Sequence, residues 1–417
     1  MNSKKPQHVA MDQFESRNNE LYLAGKSIRD IANLVGSTPF YAYDSGVIDK
    51  QLRRLRQQLP AEVKIHYAIK ANPLPLLVRF MAARVDGFDV ASVSEMQLAL
   101  HSGMDASRIS IAGPAKKSRE LGDAVEAGCC INVESAAELQ RAMDAAELQR
   151  KTPSLALRIN PNFELKSSGM KMGGGAKPFG IDAEMIPELL KDMESLDIDF
   201  QGFHIFSGSQ NLNAAAIVEA QNQSVQLAID LAQHTQRAIP RINIGGGFGI
   251  PYFPGEQRLD LRPIGDNLQI LCDKVRTELG DCDIVLELGR YLVGECGVYV
   301  ASVVEKKISR QQRFLITDGG LHHHLAASGN FGQVIRKNYP LAIGNRLRCE
   351  QRQPFNVVGP LCTPLDILGH NVELCDADAG DLVVVYQSGA YGYSASPHAF
   401  LGHPPAQEIF LVADQSR

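Results

Sequence analysis

At 417 residues the chain is too long for one ordinary domain, and its 44% hydrophobic and 21% charged composition is that of a globular protein with a large core. A net charge of −5 with no long basic run leaves little support for a nucleic-acid or anionic-membrane partner. Eight cysteines without a CxxC pair or Cys/His metal spacing fit reduced thiols better than a disulfide framework; with no signal-like apolar stretch after Met1 and no run of membrane-spanning length, they predict a cytoplasmic protein.

Thr38-Pro-Phe-Tyr-Ala-Tyr43-Asp44 reads as a strand and precedes a helical pattern over 47–59. In the next run Val63, Ile65, Tyr67 and Ile69 alternate with Lys64, His66, Ala68 and Lys70, the two-residue period of a strand. Ala71-Asn72-Pro73 then breaks it, which predicts Lys70 at the strand's C-terminal end. From about 60 to 290, candidate strands end near Lys70, Val90, Ala112, Val133, Asn160, Phe206, Ile244 and Leu288. Helical patterns such as 95–101 and 217–237 lie between them. Eight strands in βα alternation predict a closed, TIM-type β/α barrel rather than an open doubly wound sheet.

After Gly297 the texture changes to strands over 298–307, 313–317, 355–359, 381–386 and 408–412, separated by Gly/Pro/Asn-rich turns. That is a second, mainly β domain, which the strand at 38–44 is expected to join. The predicted organisation is a barrel over 46–295 and a discontinuous β domain from 1–45 and 296–417.

A lysine at the C-terminal mouth of a barrel strand stands where such barrels do chemistry, and partial desolvation makes it an amine nucleophile toward an aldehyde. The plain alternative is a surface lysine at a strand end. After the seventh strand, Asn243-Ile-Gly245-Gly246-Gly247-Phe-Gly249 offers backbone N–H groups to an anion with no side chain in the way. The eighth strand ends Glu287-Leu-Gly289-Arg290, adding an acid and a fixed cation. In these barrels the loops after strands seven and eight commonly hold phosphate, although two tight turns would leave the same trace. A phosphate cradle with an activated lysine suggests pyridoxal 5'-phosphate, and Glu287 is the natural carboxylate for its ring nitrogen. Asp89, ending strand two, either orients Lys70 or the ring or caps the following helix.

Tyr67-Ala-Ile-Lys70-Ala-Asn-Pro, Asp89-Val-Ala-Ser, Gly208-Ser209-Gln, Gly245-Gly-Gly-Phe-Gly, Glu287-Leu-Gly-Arg290, Gly359-Pro-Leu-Cys362 and Gly389-Ala-Tyr391-Gly occur in this order. Together, over about residues 38 to 400, they resemble the alanine-racemase-like pyridoxal-phosphate decarboxylases, especially diaminopimelate decarboxylases. His204-Ile-Phe-Ser-Gly-Ser-Gln and Gly169-Met-Lys-Met-Gly-Gly-Gly look like the exosortase-system-associated subgroup, which is similar to a decarboxylase of acyl-carrier-tethered glutamate. The resemblance implies that Lys70 binds the cofactor's aldehyde and that Ser209, Gly246, Gly247, Gly289, Arg290 and Tyr391 lie at its phosphate. It also implies that Glu287 faces the ring nitrogen and that Cys362, entering from the partner subunit of a head-to-tail homodimer, protonates the substrate carbon. A thiol suits that task, since a proton donor works best poised near ambient pH; a small buried cysteine is the alternative.

Two positions depart from the family. Where its ornithine and diaminopimelate members stack a histidine on the ring, this chain has Phe206, which can stack but not hydrogen-bond. His204, with the same strand parity, either compensates or is a barrel histidine with its own partners. After the cysteine those relatives carry an acid for a distal ammonium, and here the sequence is Cys362-Thr363-Pro-Leu-Asp366. A hydroxyl cannot offset a buried ammonium, unless Asp366 takes the acid's place by a shifted backbone path, the less economical reading. Arg290 and Arg336, by contrast, can hold carboxylate or phosphate.

The expected activity is therefore α-decarboxylation of a glutamate-like or carrier-tethered amino acid, with Arg290, Arg336 and Thr363 toward substrate. The alternatives are meso-diaminopimelate decarboxylation in lysine synthesis and a non-catalytic cofactor-binding protein. The loop 166–177, with three lysines and four glycines, reads as a basic rim that either receives a carrier protein or is merely solvated. His322-His323-His324 gives no metal site if it lies on a strand, since three successive side chains cannot all point one way, and none is expected.

Overall fold

The computed structural model describes residues 6–164, 170–171, 173–333 and 335–413. The chain divides into two compact units, one of Leu52–Gly249 with Leu259–Gly289, the other of Met1–Gln51, Ile250–Arg258 and Arg290–Arg417.

The first unit is the barrel. Its strands are β1 Lys64–Ala68, β2 Gly87–Val90, β3 Ile109–Ile111, β4 Cys130–Val133, β5 Ser154–Asn160, β6 Asp199–Ile205, β7 Arg241–Gly246 and β8 Asp283–Leu288. Every neighbouring pair is parallel, and β8–β1 and β4–β5 pairings close the ring. The expected strand ends fall within two residues of these. Alternation builds β1 as read: Ile65 and Tyr67 are fully buried among the surrounding apolar side chains, while His66 shares a register with Glu287 of β8 and Gly87 of β2.

Local chemistry sets the helices between strands. Ser92 caps Val93–His101 by accepting from Glu95 N, and Asn213 caps Ala214–Ala232 by accepting from Ala215 N and Ala216 N. The last of these starts three residues before the expected 217, because the cap, not the apolar pattern, sets its beginning. It turns Ile217, Val225, Ala228 and Ile229 inward, an i, i+3, i+4 stripe.

The second unit is built on the long strand Gly297–Ser309, which pairs antiparallel with Phe40–Asp44, Gln312–Thr317 and Leu382–Val385. Phe40–Asp44 also pairs in parallel with Gln407–Leu411. Gln353–Val358 joins Gln312–Thr317 on one side and Ile367–Leu374 on the other. Several short elements were not among those expected: the hairpins of Glu15–Arg17, Glu20–Leu23 and Lys26–Ser27, the helix Ile28–Val35, and Leu341–Ile343. Runs of two to four residues are too short to show a period.

Two expectations are corrected here. Cys349 and Cys375 form a disulfide, with Cα atoms 5.7 Å apart. The pairing comes from the fold, because Cys375 follows directly on Ile367–Leu374, and a separation of 26 residues carries no motif. His322-His323-His324 does not lie on a strand: His323 N and His324 N both donate to Gly320 O, at 3.0 Å, in a turn. All three rings are buried there; His324 Nε2 meets Ser388 Oγ at 2.9 Å and His323 Nε2 meets Pro404 O at 2.8 Å. Among the described residues, no helix is long and apolar enough to cross a membrane.

Candidate active site

Lys70 stands just past β1 in a 3-10 turn, Ile69–Ala71, rather than on the strand itself. Asn72 N donates to Ile69 O at 3.0 Å and the Tyr67 hydroxyl donates to Asn72 O at 2.8 Å, fixing the exit of the chain. The turn comes two residues earlier than Ala-Asn-Pro suggests, and it delivers Lys70 at the C-terminal mouth of the barrel. Its side chain is 41% exposed, with Nζ 3.5 Å from Glu287 Oε1 and 5.6 Å from the centroid of the Phe206 ring.

Glu287, on β8, is buried, and its other oxygen accepts a hydrogen bond from His204 Nε2 at 3.1 Å. Burial works against its charge, but the Lys70 ammonium and the His204 donor outweigh it and hold the carboxyl well below the usual range. A carboxylate can only accept, so His204 donates through Nε2; its Nδ1 is buried with no hydrogen-bond partner among the described residues. His204 thus braces Glu287, while Phe206 lays an apolar ring beside Lys70.

Asp89, on β2, is buried, and its Oδ1 accepts from the Ser110 hydroxyl and lies 3.4 Å from His66 Nδ1. Its Oδ2 is buried with no hydrogen-bond partner among the described residues. His66 was not singled out among the candidates. Its signal was parity, since it alternates with Tyr67 in step with Lys70.

The glycine loop follows β7. Gly245 and Gly247 have φ of +67° and +70°, the left-handed region where glycine carries no penalty. At Gly246 a Cβ would strike the Glu287 carbonyl, and at Gly289 one would lie 2.9 Å from Ala71 Cβ. The loop is tied down where Asn211 N donates to Gly247 O at 2.9 Å and Gly249 N donates to Asn211 O at 2.8 Å. Ser209, two residues before Asn211, pairs through its backbone with Met170. Lys70, Phe206, His204 and Glu287 are thus brought together, with Gly246 and Gly289 packed against their strand ends.

The remaining candidates belong to the second unit. Arg290 donates from Nη1 to the Tyr252 hydroxyl at 2.8 Å, and its guanidinium lies 4.6 Å from the Tyr391 ring centroid. Burial disfavours its charge, but the Tyr252, Tyr391 and Tyr339 oxygens more than compensate and hold its pKa above the usual value. Cys362 is exposed on a turn. That turn is held by Asp366, whose Oδ2 accepts from Leu361 N at 2.8 Å and Oδ1 from Leu321 N at 2.6 Å. Asp366 is buried against Gly320 and Gly359, so it cannot take over from the missing acid after the cysteine. Thr363 accepts from Leu365 N at 3.3 Å. Arg336 is not left available in the way its sequence suggests: it donates from Nη2 to the Ile367 carbonyl. Of the basic loop, residues 165–169 and 172 lie outside the described residues.

A family model described as "Pyridoxal-dependent decarboxylase, pyridoxal binding domain" matches residues 45–294, more than half of the chain. The chain is 39% identical to an L-glutamyl-[BtrI acyl-carrier protein] decarboxylase of Niallia circulans, covering 89% of this chain and 88% of that protein. It is 31% identical to a diaminopimelate decarboxylase of Aquifex aeolicus, covering 95% and 92%. The crystal structure of the Helicobacter pylori diaminopimelate decarboxylase with L-lysine aligns with a TM-score of 0.80 at 25% identity, covering 92% of this chain and 94% of that one.

The residues present fit pyridoxal phosphate, the cofactor of these proteins. An amine stands beside a carboxylate held charged, two buried polar atoms (Asp89 Oδ2 and His204 Nδ1) have no hydrogen-bond partner among the described residues, and a Cβ would not fit at Gly246. The chain belongs to the alanine-racemase-like pyridoxal-phosphate-dependent decarboxylases, and is a carboxy-lyase on a β/α barrel.

Proposed function

We propose that the chain removes the α-carboxylate of a glutamate-like or carrier-tethered amino acid rather than of a free diamino acid. The observation that carries this is the turn after Cys362. Thr363 replaces the acid that grips a distal ammonium in diamino-acid relatives, and Asp366 is buried with both oxygens spent on backbone donors. A desolvated ammonium facing only a hydroxyl would cost several kcal/mol. The Niallia circulans relative, whose name states a carrier-linked glutamyl substrate, supports the same reading.

Bound here, pyridoxal phosphate supplies the electron sink that takes up the pair left by CO2. We assign Lys70 Nζ as the amine that holds the cofactor and gives way to the substrate amine. Glu287 is assigned to the ring nitrogen, with His204 keeping its carboxylate oriented. Phe206 offers an apolar ring face, and Asp89 an acceptor. Ser209, Gly246, Gly247 and Gly289, and separately Arg290 and Tyr391, are assigned to phosphate. Arg336 and Thr363 are assigned to substrate, Arg336 only if it leaves the Ile367 carbonyl. Cys362, exposed on its turn, is assigned to return a proton from Sγ to the substrate α-carbon, acting from the partner subunit of a homodimer. The test is CO2 release across a panel of free and carrier-loaded amino acids. Turnover of glutamate or a carrier-linked amino acid is expected. Turnover of meso-diaminopimelate with lysine release would overturn the substrate assignment in favour of lysine synthesis.

A further inference from the structure

β1 turns His66 into the barrel, level with Glu287 on β8 and Gly87 on β2. The imidazole is buried, yet it is not placed as a packing residue. Its Nδ1 approaches Asp89 Oδ1 to 3.4 Å, and the Ser110 hydroxyl donates to that same oxygen. An acceptor oxygen calls for a proton on Nδ1, so the contact selects the ring's tautomer. Two donors therefore converge on one oxygen of Asp89, while Oδ2 has no partner among the described residues. Rotating the carboxylate would break both contacts. The ring in turn has a seat made by a glycine: a Cβ on Gly87 would lie 2.5 Å from His66 Nε2 and 2.7 Å from Cε1. An apolar side chain would fill this space without the cost of burying polar atoms, so the polar pair calls for a reason other than packing.

We propose that His66 is a positioning residue that, together with Ser110, clamps Oδ1 of Asp89 and so reserves Oδ2 as a fixed acceptor for pyridoxal phosphate. An acceptor held in place before the ligand arrives is worth more than one that must reorient. The inference rests on the assignment of Asp89 to the cofactor and deepens it by naming what aims the carboxylate. The ring also borders a cavity of about 480 Å³ at the N-terminal end of the barrel, lined by Lys64, Arg108, Arg241 and Asp283 among others. A smaller side chain at 66 is therefore met by solvent rather than by a sealed void.

The test compares His66→Asn, whose amide nitrogen can stand in for Nδ1–H, with His66→Leu, which fills the space without a donor. Dissociation constants for pyridoxal phosphate are measured on the apoproteins, with kcat, KM and melting temperature alongside. His66→Leu should bind the cofactor about tenfold more weakly, the scale of one hydrogen bond to a carboxylate. Its kcat should fall with KM little changed, and His66→Asn should recover most of the affinity. A packing role predicts the opposite order, because leucine suits an apolar site better than asparagine.

Wild-type affinity in His66→Leu, or no recovery in His66→Asn at matched melting temperature, overturns the proposal. Should the leucine variant melt early, Ser110→Ala decides: loss of cofactor affinity supports the clamp and unchanged affinity overturns it. Unchanged affinity in Asp89→Ala would instead overturn the underlying assignment of Asp89.

Discussion

Each group at the mouth of the barrel is set by one or two neighbours. Glu287 keeps its charge because Lys70 and His204 face its two oxygens. Replacing it with Gln should weaken the electron sink and lower kcat far more than it raises KM, which steady-state kinetics would show. Cys362→Ala should leave cofactor binding intact and slow product formation, measured as CO2 release against bound cofactor. The placement of the candidates was legible where it follows the strands, with Asp89 and Glu287 on β2 and β8 and Lys70 just past β1. It was hidden where it depends on tertiary partners. Nothing in Cys-Thr-Pro-Leu-Asp says that Asp366 will be consumed by Leu321 N and Leu361 N, and nothing near Arg336 says that it will turn to Ile367.

Among the elements, loops between strands are held by buried charge. Glu134, just after β4, accepts from Arg158 Nη1 at 2.7 Å, Gly113 N at 2.5 Å and Gly180 N at 3.0 Å, while Lys116 pairs with Glu138 at 2.6 Å. Burial opposes the Glu134 charge, but Arg158 and Lys116 prevail and hold its pKa below the usual value. A depressed carboxyl contributes stability that is present above its unfolded pKa of about 4.3 and is lost as pH falls through the folded value. Glu134→Ala should therefore cost about 3–5 kcal/mol at neutral pH by leaving Arg158 uncompensated. Denaturant titrations should show the gap to wild type narrowing in acid. The barrel helices are ordinary by comparison: Leu268, fully buried on Arg262–Leu279, should cost about 2–5 kcal/mol when cut to Ala. The eight strands were readable because each alternates or runs apolar between turns. Glu15–Ser27 was not, because its strands are stabilised by pairing with one another rather than by a pattern of their own.

For the molecule as a whole, a discontinuous β unit was foreseeable from the strand at Phe40–Asp44, which pairs with both Gly297–Ser309 and Gln407–Leu411. The Cys349–Cys375 bond was not foreseeable, since only the folded strands bring the two residues together. The proposed homodimer makes a concrete prediction. If Cys362 acts on the partner's cofactor, mixed and refolded Lys70→Ala and Cys362→Ala chains should release CO2 faster than either variant alone. No recovery in a demonstrably mixed dimer would place both residues in service of the same protomer.

The most direct measurement concerns the amine itself. The holoprotein, prepared with pyridoxal phosphate, is reduced with borohydride, digested and mapped by mass spectrometry. The cofactor should be found fixed to Lys70 and absent from Lys70→Ala. A cofactor fixed to another lysine, or none retained at all, would contradict the account.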